Sequence, residues 1–358
     1  MSHGASHRAK LREGRGGILA AVSRLSIGLV YDLLGSHPRR AGDPPDVDAE
    51  YEPESTVRAL EAAIARLGHR PVRLGAPHAL LAALGKGELP TLDAALSIAE
   101  GYGGRNREAW APALLEMAGV PALGSDALTL SLSLDKALCR NVVEAAGVPI
   151  AAGCVVASAE EAERIELPAA WPLFVKPRWE GTAKGIAPTS RVEDRAALAR
   201  EVARIARDYR QPALVEEFLP GAEYTVTLVG HPPRALPVLQ RALESRTRIG
   251  IHAIERHAAP PGGWQPVTPG TLDSTLESEL ARLALSAFHV LECLDFARAD
   301  FRLDAAGRPR FLEINPLPTF AVDGSFGILA ELEGRPVDAL LADVIGESLA
   351  RLGLAPPA

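Results

Sequence analysis

The N-terminal third of the chain alternates short apolar runs with helical-period segments. Ser26–Tyr31 reads as a first strand, followed by a polar, proline-rich stretch from Gly35 to Pro53. From Glu54 to Leu67 apolar residues recur at helical spacing, and Gly68 stops the pattern. Strands are expected at 71–74 and 94–99, and a helix at 109–117. This βαβ alternation predicts a doubly wound α/β domain. Beyond it a helix is expected over 132–146, ended by Gly147-Val-Pro149. Strands at 152–156 and 172–176, a helix at 194–208, and strands at 213–218 and 223–228 around Pro220-Gly221 follow. A helix over 276–291 leads into a final hairpin of 296–303 and 311–315. The middle and C-terminal parts therefore read as α+β, with mostly antiparallel strands and no internal repeat or coiled-coil heptads.

Composition narrows the classes. The 358 residues suffice for about two or three domains with a large core. A formal net charge of −7 argues against a general nucleic-acid or anionic-membrane binder, which needs a basic surface. No apolar run reaches transmembrane length without a charge. Cys139, Cys154 and Cys293 lack metal-ligand spacing and fit reduced thiols in a cytoplasmic protein. Residues 1–24 are basic and glycine-rich, without the apolar core of a secretory signal, and read as a disordered tail or an over-called start, with an organellar transit peptide as the alternative.

The chemistry concentrates in the last hairpin. Side chains alternate along a strand, so Arg298, Asp300 and Arg302 share one face, as do Glu313 and Asn315. Pairing Leu303 with Arg310 sets Asp300 opposite Glu313 and Arg298 opposite Asn315. Two carboxylates directly opposite repel each other, and a hard cation removes the conflict. Mg²⁺ accepts carboxylate and amide oxygens and commonly shares its shell with substrate phosphates. The bland reading, a solvated edge hairpin with scattered charge, fits the hairpin taken alone.

Other segments weigh against it. Of 38 basic residues only Lys10, Lys86, Lys136, Lys176 and Lys184 are lysine, and three of these fall between 136 and 184. Lys176 ends an apolar run and leads into Arg178-Trp-Glu-Gly-Thr-Ala-Lys-Gly185, where Gly181, Thr182 and Gly185 allow backbone N–H groups to face an anion. The spacing is not that of a P-loop. Lys136, at the start of a helix, reads by itself as a surface lysine. Glu216, Glu217 and Glu223 on adjacent strands suit adenine and ribose, although alone they read as a solvated face. His37, His69, His252 and His257 read as structural or solvated.

Together these blocks resemble the ATP-grasp superfamily, and most closely the D-alanine–D-alanine ligases, from about Ser26 to about Leu352. The segment Leu114–Ser125, Asp135-Lys136, Phe174-Val-Lys176-Pro177 with its loop, Glu216, Glu223, and Arg298-Ala-Asp300 with Glu313-Ile-Asn315 carry the resemblance. It implies an α/β N-terminal domain (25–124) followed by an α+β ATP-grasp fold whose two subdomains (125–212 and 213–358) grip ATP. It also implies phosphate contacts from Lys136, Lys176 and the glycine loop, with nucleotide contacts from Glu216, Glu217 and Glu223. One or two Mg²⁺ ions, or Mn²⁺ in their place, would sit on Asp300, Glu313 and Asn315. Arg298 would stabilise the tetrahedral oxyanion. The reaction would be an ATP-dependent amide bond formation through an acyl phosphate, with amino-acid or carboxylate substrates, in a cytoplasmic homodimer.

The chain departs from the family pattern in its substrate half. Asn315 is followed by Pro-Leu-Pro318-Thr319, and the serine expected to hold the acceptor carboxylate is displaced, Ser325 being the nearest candidate, one residue late. The early histidine-glycine block is replaced by Glu100–Glu108. The glutamate expected to bind the first amino group is Glu54, with Glu52 close by. The family's late phosphate lysine is absent, leaving Arg246 or Arg248 to substitute. This pattern fits a ligase with other substrates; the reading of another class is a nucleotide-binding regulator that has lost turnover.

Overall fold

The structure, a computed structural model, describes residues 24–241, 243, 248–249 and 272–356. It contains three sheets. The first is parallel, ordered β2-β1-β3-β4, from β1 (Ser26–Tyr31), β2 (Arg70–Gly75), β3 (Ala94–Ile98) and β4 (Ala122–Leu123). Helices α1 (Glu54–Arg66), α2 (Pro77–Lys86) and α3 (Trp110–Met117) belong to this unit. The pattern reading omits α2, whose Pro77 at its first turn and left-handed Gly87 cap are sequence signals for a helix.

The second sheet is antiparallel, ordered β5-β8-β6-β7, from β5 (Gly153–Val156), β6 (Leu173–Pro177), β7 (Arg191–Val192) and β8 (Ala213–Glu217). Between β5 and β6 lies α6 (Ala159–Ala162). The helix α7 (Arg195–Asp208) buries Leu198, Val202 and Ile205 against this sheet. The third sheet is ordered β10-β9-β12-β13, with β11 also on β9. Its strands are β9 (Glu223–Val229), β10 (Arg234–Ala235), β11 (Leu239–Arg241), β12 (Phe296–Leu303) and β13 (Pro309–Asn315).

Three differences from the expected organisation affect the site. First, β8 pairs with β5 and β6, so the boundary expected at 212/213 would cut the second sheet. Second, the helix expected over 132–146 is two helices, α4 (Ala127–Leu134) and α5 (Lys136–Ala145). Asp135 breaks the run because its carboxylate accepts the Leu138 N–H and caps α5, which puts Lys136 at the first helical position. Cys139 and Val143 of α5 share a core with β9, β12, β13 and α8 (Ser274–Val290), so α5 packs on the third sheet rather than the second.

Third, α9 (Ser325–Leu332) and α10 (Val337–Arg351) fold back onto the first sheet. Leu341, Ile345 and Leu349 share a core with Ile27, Leu60 and Ile64. Phe320 and Phe326 stack there at 5.1 Å between ring centroids. The chain therefore closes on its own N-terminal unit, and the connection from β13 to α9 is carried along one wall of a cleft. The basic tail expected at the N-terminus lies, up to residue 23, outside the described residues. Among the described residues no helix is long and apolar enough to cross a membrane.

Candidate active site

The β12–β13 hairpin pairs Leu303 with Pro309 and Arg302 with Arg310, one residue out of the expected register at the turn. A bulge beyond Phe301 then shifts the pairing, and Asp300 faces Glu313 and Arg298 faces Asn315. The bulge turns both Leu312 and Glu313 toward a 570 Å³ cleft. Arg298, Asp300 and Asn315 line the same cleft.

The repulsion between the two carboxylates is relieved by cations already present. Arg298 donates to Asp300 Oδ2 through Nε at 3.1 Å and Nη2 at 2.9 Å. Lys136 Nζ lies 2.8 Å from Glu313 Oε2. Burial would raise the Glu313 carboxyl, but Lys136, Lys176 and Arg298 outweigh it and hold it at about 2. The buried Asn315 Nδ2 has no hydrogen-bond partner among the described residues.

Two carboxylates and an amide oxygen on one strand pair form a hard-oxygen set, and an orphaned amide beside them fits a site built for a hydrated hard cation. No three His, Cys, Asp or Glu side chains converge elsewhere among the described residues as a competing metal site.

Lys176, at the end of β6, reaches Glu216 Oε2 at 2.6 Å. Arg140 also bonds Glu216, which is buried; these two cations outweigh the burial and lower its pKa. Glu217 and Glu223 line the cleft from β8 and β9. Glu223 is raised by burial despite Arg302, whose Nη1 stands 3.6 Å away.

The loop after β6 crosses the cleft. Gly181 and Thr182 line it, while Gly185, at φ +77°, sits at its base outside the lining. Thr182 and Ala183 also have positive φ, +48° and +54°, so the loop is tightly coiled. Ser325 opens α9, is buried, and lines the cleft wall.

Glu54 is not at the site. It lies on the outer face of α1, bonded to Arg58 at 3.3 Å and Arg73 at 2.8 Å. Two residues earlier the chain is still entering the helix, and Glu52 turns inward, accepting from the Thr56 hydroxyl at 2.8 Å. It is buried and lines the cleft; burial raises its pKa, against hydrogen bonds from Thr319 and the Phe320 backbone.

Of the two arginines expected to replace the late lysine, Arg246 lies outside the described residues. Arg248 is exposed and donates to Pro220 O at 3.3 Å. The cleft instead contains Arg241 of β11, which donates to Thr225 Oγ1 at 3.0 Å; that hydroxyl donates to Asp300 Oδ1 at 2.7 Å. Its signal in the sequence is only its place on a strand opposite Glu223. His252 and His257 are outside the described residues. His37 packs edge-on to Tyr51 and Tyr102, 3.4 Å from Asp43, and His69 is buried at the start of β2.

Sequence reasoning missed a cluster of charge on the N-terminal wall. Glu50 accepts from Arg107 Nη2 at 2.7 Å, the Gly181 N–H at 2.5 Å and Lys184 Nζ at 3.0 Å. Burial opposes its ionisation, but Arg107 and Lys184 hold it at about 2. Glu100 and Glu108 line the cleft beside it. Burial raises both, helped by the Glu108 and Glu50 charges at Glu100 and by the Glu50 charge at Glu108, so each retains a proton to higher pH than a free carboxyl.

A parallel α/β unit and two antiparallel sheets closing on a cleft with two lysines, a glycine loop and paired carboxylates define an ATP-grasp fold. Solved structures share it, among them D-alanine–D-alanine ligase from Bacillus anthracis in complex with ATP (TM-score 0.66, 18% identity, 91% of this chain and 98% of that one). The VanG D-Ala:D-Ser ligase from Enterococcus faecalis matches at TM-score 0.65 and 17% identity, over 91% and 99% of the two chains.

The family described as D-ala D-ala ligase C-terminus matches residues 142–346. A D-alanine–D-alanine ligase from Halorhodospira halophila is 32% identical over 236 residues, 66% of this chain and 73% of that protein. A Sinorhizobium fredii protein, "Uncharacterized protein y4sG", is 29% identical over 323 residues, 86% and 91% of the two. The chain belongs to the D-alanine–D-alanine ligase family and is an ATP-grasp ligase that uses ATP and Mg²⁺; its relatives act on small-molecule amino-acid substrates.

Proposed function

We propose that this chain activates an amino-acid carboxylate with ATP and joins it to an amine, and that its substrate pair differs from two D-alanines. The observation that carries the roles is the convergence on one cleft of Lys136, Lys176, Arg298, Asp300, Glu313 and Asn315. Lys136 and Lys176 neutralise phosphate charge, exchanging Glu313 and Glu216 for the nucleotide. Gly181 and Thr182 cover it, and Glu216, Glu217 and Glu223 face adenine and ribose. Asp300, Glu313 and Asn315 would hold Mg²⁺, which would supply neutralisation of phosphate charge.

Phosphoryl transfer to the substrate carboxylate gives an acyl phosphate and ADP. Attack by the amine then forms the amide and expels phosphate. Arg298, beside the metal carboxylates, stabilises the oxyanion of that attack. Glu52, rather than Glu54, holds an ammonium group of the substrate, and Ser325 at the start of α9 meets the acceptor's carboxylate.

The altered substrate pair is supported by the N-terminal wall, where Glu100 and Glu108 stand in the segment that replaces the family's histidine-glycine block. A cytoplasmic homodimer completes the reading, by analogy with relatives. The test is ADP release with Mg²⁺-ATP against a panel of D- and L-amino acids, with mass spectrometry of the products. An amide other than D-alanyl-D-alanine supports the proposal. D-alanyl-D-alanine as the favoured product overturns the substrate part, and ATP binding without release across the panel favours the regulatory reading.

A further inference from the structure

The glycine loop is held from outside its own subdomain. Residues 32–53, the polar, proline-rich stretch between β1 and α1, meet it at Gly181 and Gly185 through Glu50 and Asp46. At the base, Asp46 Oδ2 accepts the Gly185 N–H at 2.8 Å, and Asp46 Oδ1 accepts the Tyr209 hydroxyl at 2.8 Å. The next peptide, beyond the Gly185 Cα, is also fixed, because Arg204 Nη2 donates to Gly185 O at 2.6 Å. The Arg204 guanidinium lies 5.8 Å from the Tyr209 ring centroid. Nearer the tip, Glu50 takes the Gly181 N–H and Lys184, and Arg107 Nη1 donates to Trp179 O at 2.7 Å. The loop therefore touches the first domain at residues 179, 181, 184 and 185.

A loop of this shape needs such support. Its turns use positive φ at Thr182, Ala183 and Gly185, so its backbone forms few regular hydrogen bonds of its own. Gly185 also tolerates no side chain, since a Cβ there would run into Pro177. The peptides on both sides of Gly185 are thus held at the base of the loop. Asp46 does not line the cleft.

We propose that the 32–53 stretch is a strap from the first domain that seats the glycine loop over the cleft, with Asp46 as its positioning residue. The consequence for the reaction rests on the ligase reading. An acyl phosphate exposed to water is lost when water attacks its carbonyl carbon and the C–O bond to phosphate breaks. Free carboxylate and phosphate result, and ATP is spent without amide. A loop seated from the first domain excludes that water and couples ATP use to amide formation.

The test uses the full chain with Asp46→Ala, Asp46→Asn and Tyr209→Phe. In a reaction of the wild type that yields amide, the amide formed per ADP should fall at least threefold in Asp46→Ala and less in Tyr209→Phe. Asp46→Asn, which keeps one acceptor oxygen, should recover part of it. ATP affinity should stay within twofold of wild type. Hydrogen exchange at the 181–186 amides should rise about tenfold in Asp46→Ala, as loss of a bond to a charged acceptor implies.

Unchanged coupling together with unchanged exchange overturns the strap. If the wild type forms no amide, the ligase reading fails by itself, and exchange at Gly185 still decides the strap. If Asp46→Ala does not fold, Tyr209→Phe decides: faster exchange supports the proposal and wild-type exchange overturns it.

Discussion

Lys136 and Glu313 form an ion pair of 2.8 Å between the first turn of α5 and the metal hairpin. They are far apart in sequence, and each is the other's main compensation for being buried. The two thus neutralise each other; on the proposed roles, ATP would take over Lys136 and Mg²⁺ would take over Glu313.

Glu313→Gln removes one half of that pair and leaves Lys136 buried without its carboxylate. Breaking a buried pair in this way costs roughly 3 kcal/mol, and ADP release should fall by roughly a hundredfold or more. Thermal unfolding with ATP, with and without Mg²⁺, checks the metal role separately. Mg²⁺ should raise the midpoint of the wild type and leave that of Glu313→Gln unmoved.

Glu52 and Glu54 make opposite predictions. Glu52→Gln should raise KM for the amine-bearing substrate about ten- to a hundredfold, the loss expected for one charge-assisted hydrogen bond. Glu54→Gln removes only exposed pairs with Arg58 and Arg73 and should leave kcat and KM at wild-type values. Steady-state kinetics of the two variants decides the assignment, and equal effects would refute it.

The Glu100–Glu108 pair gives stability a definite slope with pH. Both carboxyls are raised in the fold, so the folded state binds protons more tightly than the unfolded chain. Their effect is fully favourable below the unfolded pKa near 4.5 and is lost as pH rises through their folded values, about 7 for Glu108. Glu108→Gln should therefore stabilise the protein more at pH 8 than at pH 5. Glu50 and Glu313 act in the opposite sense, since both are held at about 2 and lose stability only as pH falls below the usual carboxylate range. Denaturant titrations from about pH 2 to pH 8 separate the two.

The C-terminal helices should unfold with the N-terminal sheet. Ile345 of α10 is buried in the same core as Ile27 and Leu60. Ile345→Ala should cost roughly 2–5 kcal/mol and shift a single transition. A separate early transition for 325–351 would show that these helices are an appendage.

Much of this was legible in the chain. Strand and helix periods located β1, α1, β3, α7 and the final hairpin closely, because apolar period depends on local geometry alone. The pairing of Asp300 with Glu313 was also readable, although the bulge that produces it was not. The turn register was one residue out, and an extra residue on β13 restored it where the chemistry lies.

The sequence by itself determined which groups could do phosphate and metal chemistry, since those groups sit in short contiguous motifs. Only the tertiary structure decided how distant segments meet. It placed α10 on the first sheet and β8 in the second, turned Glu52 in and Glu54 out, and brought Arg241 to Asp300 through Thr225. It also seated residues 46 and 50 against a glycine loop more than a hundred positions later. These outcomes depend on which buried faces and charges compensate each other across the fold, and no local period in the chain records that.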